Sequence, residues 1–267
     1  MKKIIFMCLI FVVALSLIKI SISLSKNSIY LQDEEWVPIN NGLYGNNVTS
    51  IAINPENSKI VYLGTYGGVY KSTNGGENWT EKKEGLIENI LIKSLVIDPN
   101  NCNVLYVATY GGVFKSTDSG ENWEEMNNGL KELKVWCLKI NPINTNIVYA
   151  GTWGGGVFKS IDGGESWVEK NKGLTDLRVF DLEFNPNNSN VLYVGTYNGV
   201  FKSIDGEEIW VEKNKGLTDL RVISIKIDPI DGNIIYAGTD YNFFKSLDGG
   251  ENWIEKRSGL EGFTVNT

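Results

Sequence analysis

Two acidic side chains stand where the other copies of a repeated pattern carry something else. Asp181 takes a position filled by Ser50, Ser94, Cys137 and Ser224, and Asp240 takes one filled by Tyr66, Tyr110, Trp153 and Tyr197. Paired carboxylates are the minimum equipment for glycoside hydrolysis: one protonates the leaving oxygen while the other attacks or activates water. The chain has no His, which excludes Ser-His-Asp and Cys-His nucleophiles and the usual His-containing zinc sites. Acid–base work would therefore fall to carboxylates, Tyr or Lys. Asp181 also has a structural explanation, a hydrogen bond to a neighbouring strand or to an ordered water, and this is the one we expect.

A second set of residues suits binding better than bond breaking. Each Gly-Thr or Ala-Thr is followed by Tyr66, Tyr110, Trp153 or Tyr197, or finally by Asp240 and Tyr241. The crossings between copies add Tyr44, Trp136, the pair Asp176 and Arg178, and the pair Asp219 and Arg221. Gathered at one end of the fold, Tyr66, Tyr110, Trp136, Trp153, Arg178, Tyr197, Arg221 and Tyr241 would rim a basin suited to a protein segment or a glycan, which combine apolar faces with hydrogen-bonding groups. A recurrent Tyr at a recurrent turn also has a packing explanation, and Asp176/Arg178 and Asp219/Arg221 read as solvated pairs.

The elements that would position these residues follow from a period. The pattern S-x-[DN]-x-[GE]-x-x-W begins at Ser72, Ser116, Ser160, Ser203 and Ser246, at intervals of 43 or 44 residues. Within the second copy, residues 92–97 read as a first strand and Asp98-Pro99-Asn100-Asn101 as a turn. The nearly continuous apolar run 104–109 reads as a strand covered on both faces. Gly111-Gly112 makes a reversal, residues 113–116 a third strand, and Trp123 opens a charged fourth strand of the kind that resists edge pairing. Four strands per period predict an all-β propeller of five complete antiparallel blades. Successive turns alternate between the ends of each sheet, so the Pro turns and the Ser-x-Asp turns share one end. The strand 2–3 turns share the other with the Gly-Leu crossings, and that end is where function is expected.

In that turn Ser and Asp can bond local backbone N–H groups, Gly supplies a positive φ and Trp lies over the turn. Ser72, Asn74, Trp79, Ser116, Asp118, Trp123, Ser160, Asp162, Trp167, Ser203, Asp205, Trp210, Ser246, Asp248 and Trp253 are therefore assigned to folding. One carboxylate per turn is too few oxygens for calcium, which takes about 6 to 8, so no metal and no cofactor is expected. These five copies resemble the Asp-box, or BNR repeat, of sialidases, sortilin-type receptors, photosystem assembly factors and xyloglucan-active glycoside hydrolases. The resemblance implies a propeller, with sugar hydrolysis in some members. Sialidases use three convergent arginines and a Tyr nucleophile, whereas only Arg178, Arg221 and Arg257 are present here and two of them are repeat equivalents. Xyloglucan-active members carry a catalytic Asp after the Thr, a place that only Asp240 fills, and they work in a cleft between two propellers. The reading that follows is a non-catalytic binding or assembly module, with a hydrolase using Asp181 and Asp240 as the alternative.

The ends of the chain differ from the repeats. Lys2 and Lys3 precede an apolar run, residues 4–18, with small residues after it, so residues 1–25 read as a secretory signal peptide and the protein as exported to a periplasmic, cell-surface or extracellular location. Membrane attachment is expected only if that segment stays uncleaved. Residues 26–35 are a linker, 36–260 the propeller and 261–267 a strand start or tail. Trp36 to Leu43 matches a fourth strand and its exit, so the ends would give outer and inner strands of a partial sixth blade and lack its middle pair. Two arrangements fit: a five-bladed ring with spare terminal strands, or a remnant of a longer propeller that stays open or completes itself by self-association, the open form exposing unpaired edges. The chain carries 25 Lys and Arg against 32 Asp and Glu, a net −7. Loss of three lysines with the signal makes this −10, which disfavours nucleic acid as a partner. Cys102 and Cys137 fall in a turn and an inner strand, so no disulfide is predicted.

Overall fold

The computed structural model describes residues 38–43, 47–88, 90–206 and 209–256. The expected signal segment, linker, Trp36, Tyr44, Glu207, Arg257 and residues 261–267 lie outside them. The described residues form twenty strands and no helix, grouped into five four-stranded sheets. Blade one holds β1 (Val48–Ile53), β2 (Val61–Thr65), β3 (Gly68–Ser72) and β4 (Thr80–Lys82), and blade two β5 (Ile92–Ile97), β6 (Leu105–Thr109), β7 (Gly112–Ser116) and β8 (Glu124–Glu125). Blade three holds β9 (Val135–Ile140), β10 (Val148–Thr152), β11 (Val157–Ser160) and β12 (Val168–Glu169). Blade four is β13 (Val179–Asn185), β14 (Asn188–Thr196), β15 (Gly199–Ser203) and β16 (Val211–Glu212). Blade five is β17 (Val222–Ile227), β18 (Ile235–Thr239), β19 (Phe243–Ser246) and β20 (Ile254–Glu255). Every pairing is antiparallel and in sequence order, as in β5–β6–β7–β8 with Leu95 opposite Val107 and Phe114 opposite Glu125. This is an all-β propeller.

The second strands β2, β6 and β10 are buried at every position: β6 and β10 have a blade on either face, while β2 has blade two on one face and Leu43 packed against Val61 and Leu63 on the other. The core therefore lies between blades. Tyr62 and Val69 of blade one pack with Ile92 and Leu95 of blade two, and Tyr193 and Val200 of blade four with Val222 and Ile225 of blade five. The innermost strands pack successively, β1 on β5, β5 on β9, β9 on β13 and β13 on β17. Among the described residues no comparable packing joins β17 back to β1.

The repeated turn fastens itself and also the blade before it. Ser116 Oγ accepts from Gly120 N–H at 2.8 Å and donates to Asp118 Oδ1, which accepts from Asn122 N–H at 2.9 Å. The Ser72, Ser160 and Ser246 turns repeat this pattern, with Asn74, Asp162 and Asp248 as acceptors. In the Ser203 turn the hydroxyl bonds Asp205, which accepts from Ile209 N–H at 3.3 Å. The Trp side chains reach across. Trp79, Trp123, Trp167, Trp210 and Trp253 donate Nε1–H to the carbonyls of Ile39, Lys82, Met126, Lys170 and Lys213 in the preceding segment. Their backbone N–H groups bond Asn41, Glu84, Asn128, Lys172 and Lys215. That exit chain runs so close that a Cβ on Gly129, at φ +90°, would sit 2.3 Å from the Trp167 carbonyl oxygen. Cys102 and Cys137 are both buried free thiols.

Candidate binding site at the aromatic end

The strand 2–3 turns are closed by the Thr that ends each second strand. The hydroxyls of Thr65, Thr109, Thr152, Thr196 and Thr239 donate to the carbonyls of Gly68, Gly112, Gly156, Gly199 and Asn242 at 2.8 to 3.0 Å. Each turn thereby holds the next residue out at the same end of its blade. The crossings arrive at this end as well: Tyr66 N–H bonds Asn47, Trp153 N–H bonds Lys134 and Tyr197 N–H bonds Arg178. The Ser-x-Asp turns sit at the opposite end against the Pro turns, with Ser119 N–H on Asn103 and Gly163 N–H on Asn146.

Five rings form one continuous run across blades two, three and four. Tyr110 lies 6.1 Å from Trp136, Trp136 stacks on Trp153 at 5.1 Å, and both Trp rings meet Phe180 at 5.4 Å. Phe180 stacks on Tyr197 at 6.5 Å. Cations flank the run. Lys93 Nζ lies 4.0 Å from the centre of the Trp136 ring and 5.4 Å from that of Tyr110, and burial lowers its pKa. The Arg178 guanidinium covers Tyr197 at 3.7 Å, and that of Arg221 lies 5.5 Å from both Phe180 and Tyr197. Such contacts are worth roughly 0.5 to 2 kcal/mol each, more as water is excluded. Tyr66 and Tyr241 are exposed at this end, but no ring contact joins them to the run among the described residues.

Three polar atoms here are buried without a hydrogen-bond partner among the described residues: Trp136 Nε1, Asp219 Oδ2 and Arg221 Nε. Buried polar groups are ordinarily satisfied, so these atoms mark where a ligand or water would gain most. Phe180 and Lys93 were not singled out from the sequence. Both stand at the second position of their inner strands, as Trp136 does in β9, so the register contained the signal.

The acidic residues are otherwise engaged. Among the described residues Arg221 pairs with Asp240 rather than Asp219: its Nη1 donates to Asp240 Oδ2 at 2.7 Å, while Asp219 Oδ1 accepts the Arg221 backbone N–H at 3.2 Å. The strand 2–3 turn of blade five therefore faces the crossing that leads into the same blade. Asp176 and Arg178 do pair, through Nε at 3.0 Å and through Nη2. Burial alone would raise the Asp176 carboxyl, but hydrogen bonds from Arg178 hold it below the ordinary range.

Asp181 lies between β13 and β17. Its Oδ2 accepts from Ile225 N–H at 3.0 Å and Lys226 Nζ at 2.8 Å. Lys226 and Lys139 also reach Glu183, at 3.4 and 3.0 Å. Burial opposes the Asp181 charge, yet Lys226, Lys139 and the hydrogen bonds keep its carboxyl below the usual range. Ser50 Oγ and Ser94 Oγ accept the equivalent N–H groups of Leu95 and Leu138. Asp181 thus makes the same strand-to-strand bond as the serines it replaces. Among the described residues no group of three or more His, Cys, Asp and Glu is placed to hold a metal ion.

Comparison with known proteins places this geometry. An ancestral GH74 enzyme superposes with a TM-score of 0.70 at 25% identity, over 85% of this chain and 33% of that one. The extracellular domain of the hybrid two-component system BT3049 from B. thetaiotaomicron gives 0.67 at 17% identity, over 82% and 31%. YCF48 bound to D1 peptide gives 0.60 at 16% identity, over 81% and 68%. The chain spans about a third of the length of the first two. No curated protein matches it. Residues 35–261 match the DUF6242 beta propeller domain, and the chain belongs to that family.

Proposed function

We propose that this propeller is an exported, non-catalytic binding or assembly module whose aromatic end takes a protein segment or a glycan. The observation that carries the reading is the unbroken run Tyr110–Trp136–Trp153–Phe180–Tyr197, flanked by Lys93, Arg178 and Arg221, with a buried Trp136 indole N–H that has no partner among the described residues. Flat apolar faces beside fixed donors suit sugar rings and peptide planes alike. Support comes from the peptide-bound propeller YCF48 and the extracellular domain among the structural neighbours, and from the reading of residues 1–25 as a signal segment. The Ser-x-Asp turns act as Asp-boxes in the structural sense, holding blades.

The test is a glycan and peptide array probed with the mature protein, followed by titration of the best ligand. Trp136→Ala is expected to weaken that ligand about tenfold or more, as buried aromatic anchors do, with the β-sheet circular dichroism unchanged. An array without a hit, or a ligand indifferent to Trp136, would overturn the proposal. A second reading has one observation in its favour, the GH74 neighbour at 25% identity: a glycoside hydrolase using Asp240 and Asp181. Glycan release that disappears in Asp240→Asn would establish it. The ion pairs occupying both carboxylates argue for the binding reading.

A further inference from the structure

A side chain plugs the turn between the second and third strands in blades two, three and four. Asn127, four residues after Trp123, accepts from Val113 N–H at 2.8 Å and donates to the Gly111 carbonyl at 3.0 Å. Asn171 does the same with Val157 and Gly155, at 2.8 and 2.7 Å, and Asn214 with Val200 and Asn198, at 2.7 and 3.1 Å. Each carboxamide lies so close over its turn that a Cβ on Gly112, Gly156 or Gly199 would meet the Asn oxygen at 2.0 to 2.1 Å.

Blade one departs from this rule twice. Lys83 stands four residues after Trp79, where those blades have Asn, and its ammonium turns outward to Glu81 at 3.1 Å. The fourth strand β4 instead continues to Lys82, opposite Val69, and among the described residues no side chain donates to the Gly67 carbonyl. A Cβ on Gly68 would meet nothing within 4 Å. The crossing into blade two is also longer, seven steps from Gly85 to Ile92 where Gly129 to Val135 takes six. Together these changes leave a cavity of about 260 Å³ lined by Gly67, Gly68, Leu86, Ile87 and Ile90. Ile90 is buried, and Ile87 leans on the next turn, 3.3 Å from where a Cβ on Gly111 would lie. Glu81, Lys83 and Glu88 complete the lining. Because Lys83 pairs with Glu81, the cavity carries one net negative charge, on Glu88.

We propose that this cavity is a subsite for one cationic side chain, Lys or Arg, of a peptide. The aliphatic stem would lie along Leu86, Ile87 and Ile90, as the stems of long cationic side chains do on apolar surface. The head would donate to the Gly67 carbonyl, whose counterparts in three blades accept an N–H from the Asn carboxamide. Glu88 would neutralise the charge, which strengthens such a bond. A neutral carboxamide would satisfy the carbonyl and leave Glu88 unmatched. The volume is below the roughly 300 to 1,000 Å³ of sites for drug-sized ligands, so it suits a single long side chain. This assignment does not rest on the aromatic run binding a ligand.

The probe is a capped pentapeptide, acetyl-Gly-Gly-Lys-Gly-Gly-amide, titrated into isotope-labelled full-length protein and followed at the backbone amide resonances of Gly67 and Gly68. Matching peptides carry Arg, norleucine or Glu at the centre. Saturable shifts at both amides are expected with Lys and with Arg, binding about tenfold weaker with norleucine, which keeps the stem and lacks the charged donor, and no shift with Glu. Glu88→Gln should weaken the Lys peptide about threefold, as befits an exposed carboxylate. Lys83→Asn should abolish binding by supplying the plug that the other blades carry, with the melting temperature held or raised. A surface that merely attracted cations would instead bind more tightly in Lys83→Asn, because Glu81 is freed. Absence of saturable shifts at Gly67 and Gly68, equal binding of the norleucine peptide, or undiminished binding in Lys83→Asn would overturn the proposal.

Discussion

The two ends of the blades follow opposite rules. At the Ser-x-Asp end the Ser116, Ser160 and Ser246 copies repeat the same hydroxyl–carboxylate–amide pattern nearly atom for atom, and Asn74 takes the carboxylate's place in the first copy. At the other end the framework repeats, with one Thr closing each turn, while the residue held out changes from Tyr to Trp to Asp. Repetition at one end and variation at the other separate what the fold requires from what a ligand would read.

Substitutions at the repeated elements should cost stability and leave the aromatic run intact. Gly129→Ala should be the most severe, by about 3 kcal/mol, since it combines a positive φ with collision against the Trp167 carbonyl; denaturant titration reads it as a lower midpoint with unchanged slope. Asp118→Ala should cost about 1 to 2 kcal/mol by releasing the Asn122 amide, read in the same assay, with ligand affinity unaltered. Equal loss of affinity and stability in these variants would break the distinction between the ends.

Acid should act on the same turns. Hydrogen bonds from Asn122, Ser166 and Asn252 foremost hold Asp118, Asp162 and Asp248 at about 2, below the ordinary value of about 3.9. Their folded-state values are depressed, so their contribution is complete above about pH 4 and is lost as pH falls toward about 2. Melting temperature should fall over that window, only modestly because these carboxylates are exposed and screened. The smallest expected effect is a gain. Ser119 holds φ 64° where the other copies have Gly, and Ser119→Gly should add up to about 1 kcal/mol, offset in part by loss of its bond to Asn103.

Much of this was legible in the sequence, for reasons that also explain the remainder. The period and the apolar second strands gave the blade, and the first strand at residues 92–97 was placed to the residue. The fourth strand, expected to open at Trp123, is only Glu124–Glu125, because the Trp is committed to the previous blade. Spacing alone pairs Asp176 with Arg178 and Asp219 with Arg221; the first pair forms, whereas packing brings Asp240 to Arg221. Phe180 and Lys93 carry no motif because they occupy a strand position whose residue changes in each copy: Thr49, Lys93, Trp136, Phe180 and Ile223.

The indole clasp between blades carries an implication for biosynthesis. Each Trp is received by backbone carbonyls that lie earlier in the chain, so when a blade leaves the ribosome its docking surface has already been made. Assembly can thus advance from the amino-terminal side one module at a time, each new sheet seated by its predecessor without waiting for the carboxyl terminus.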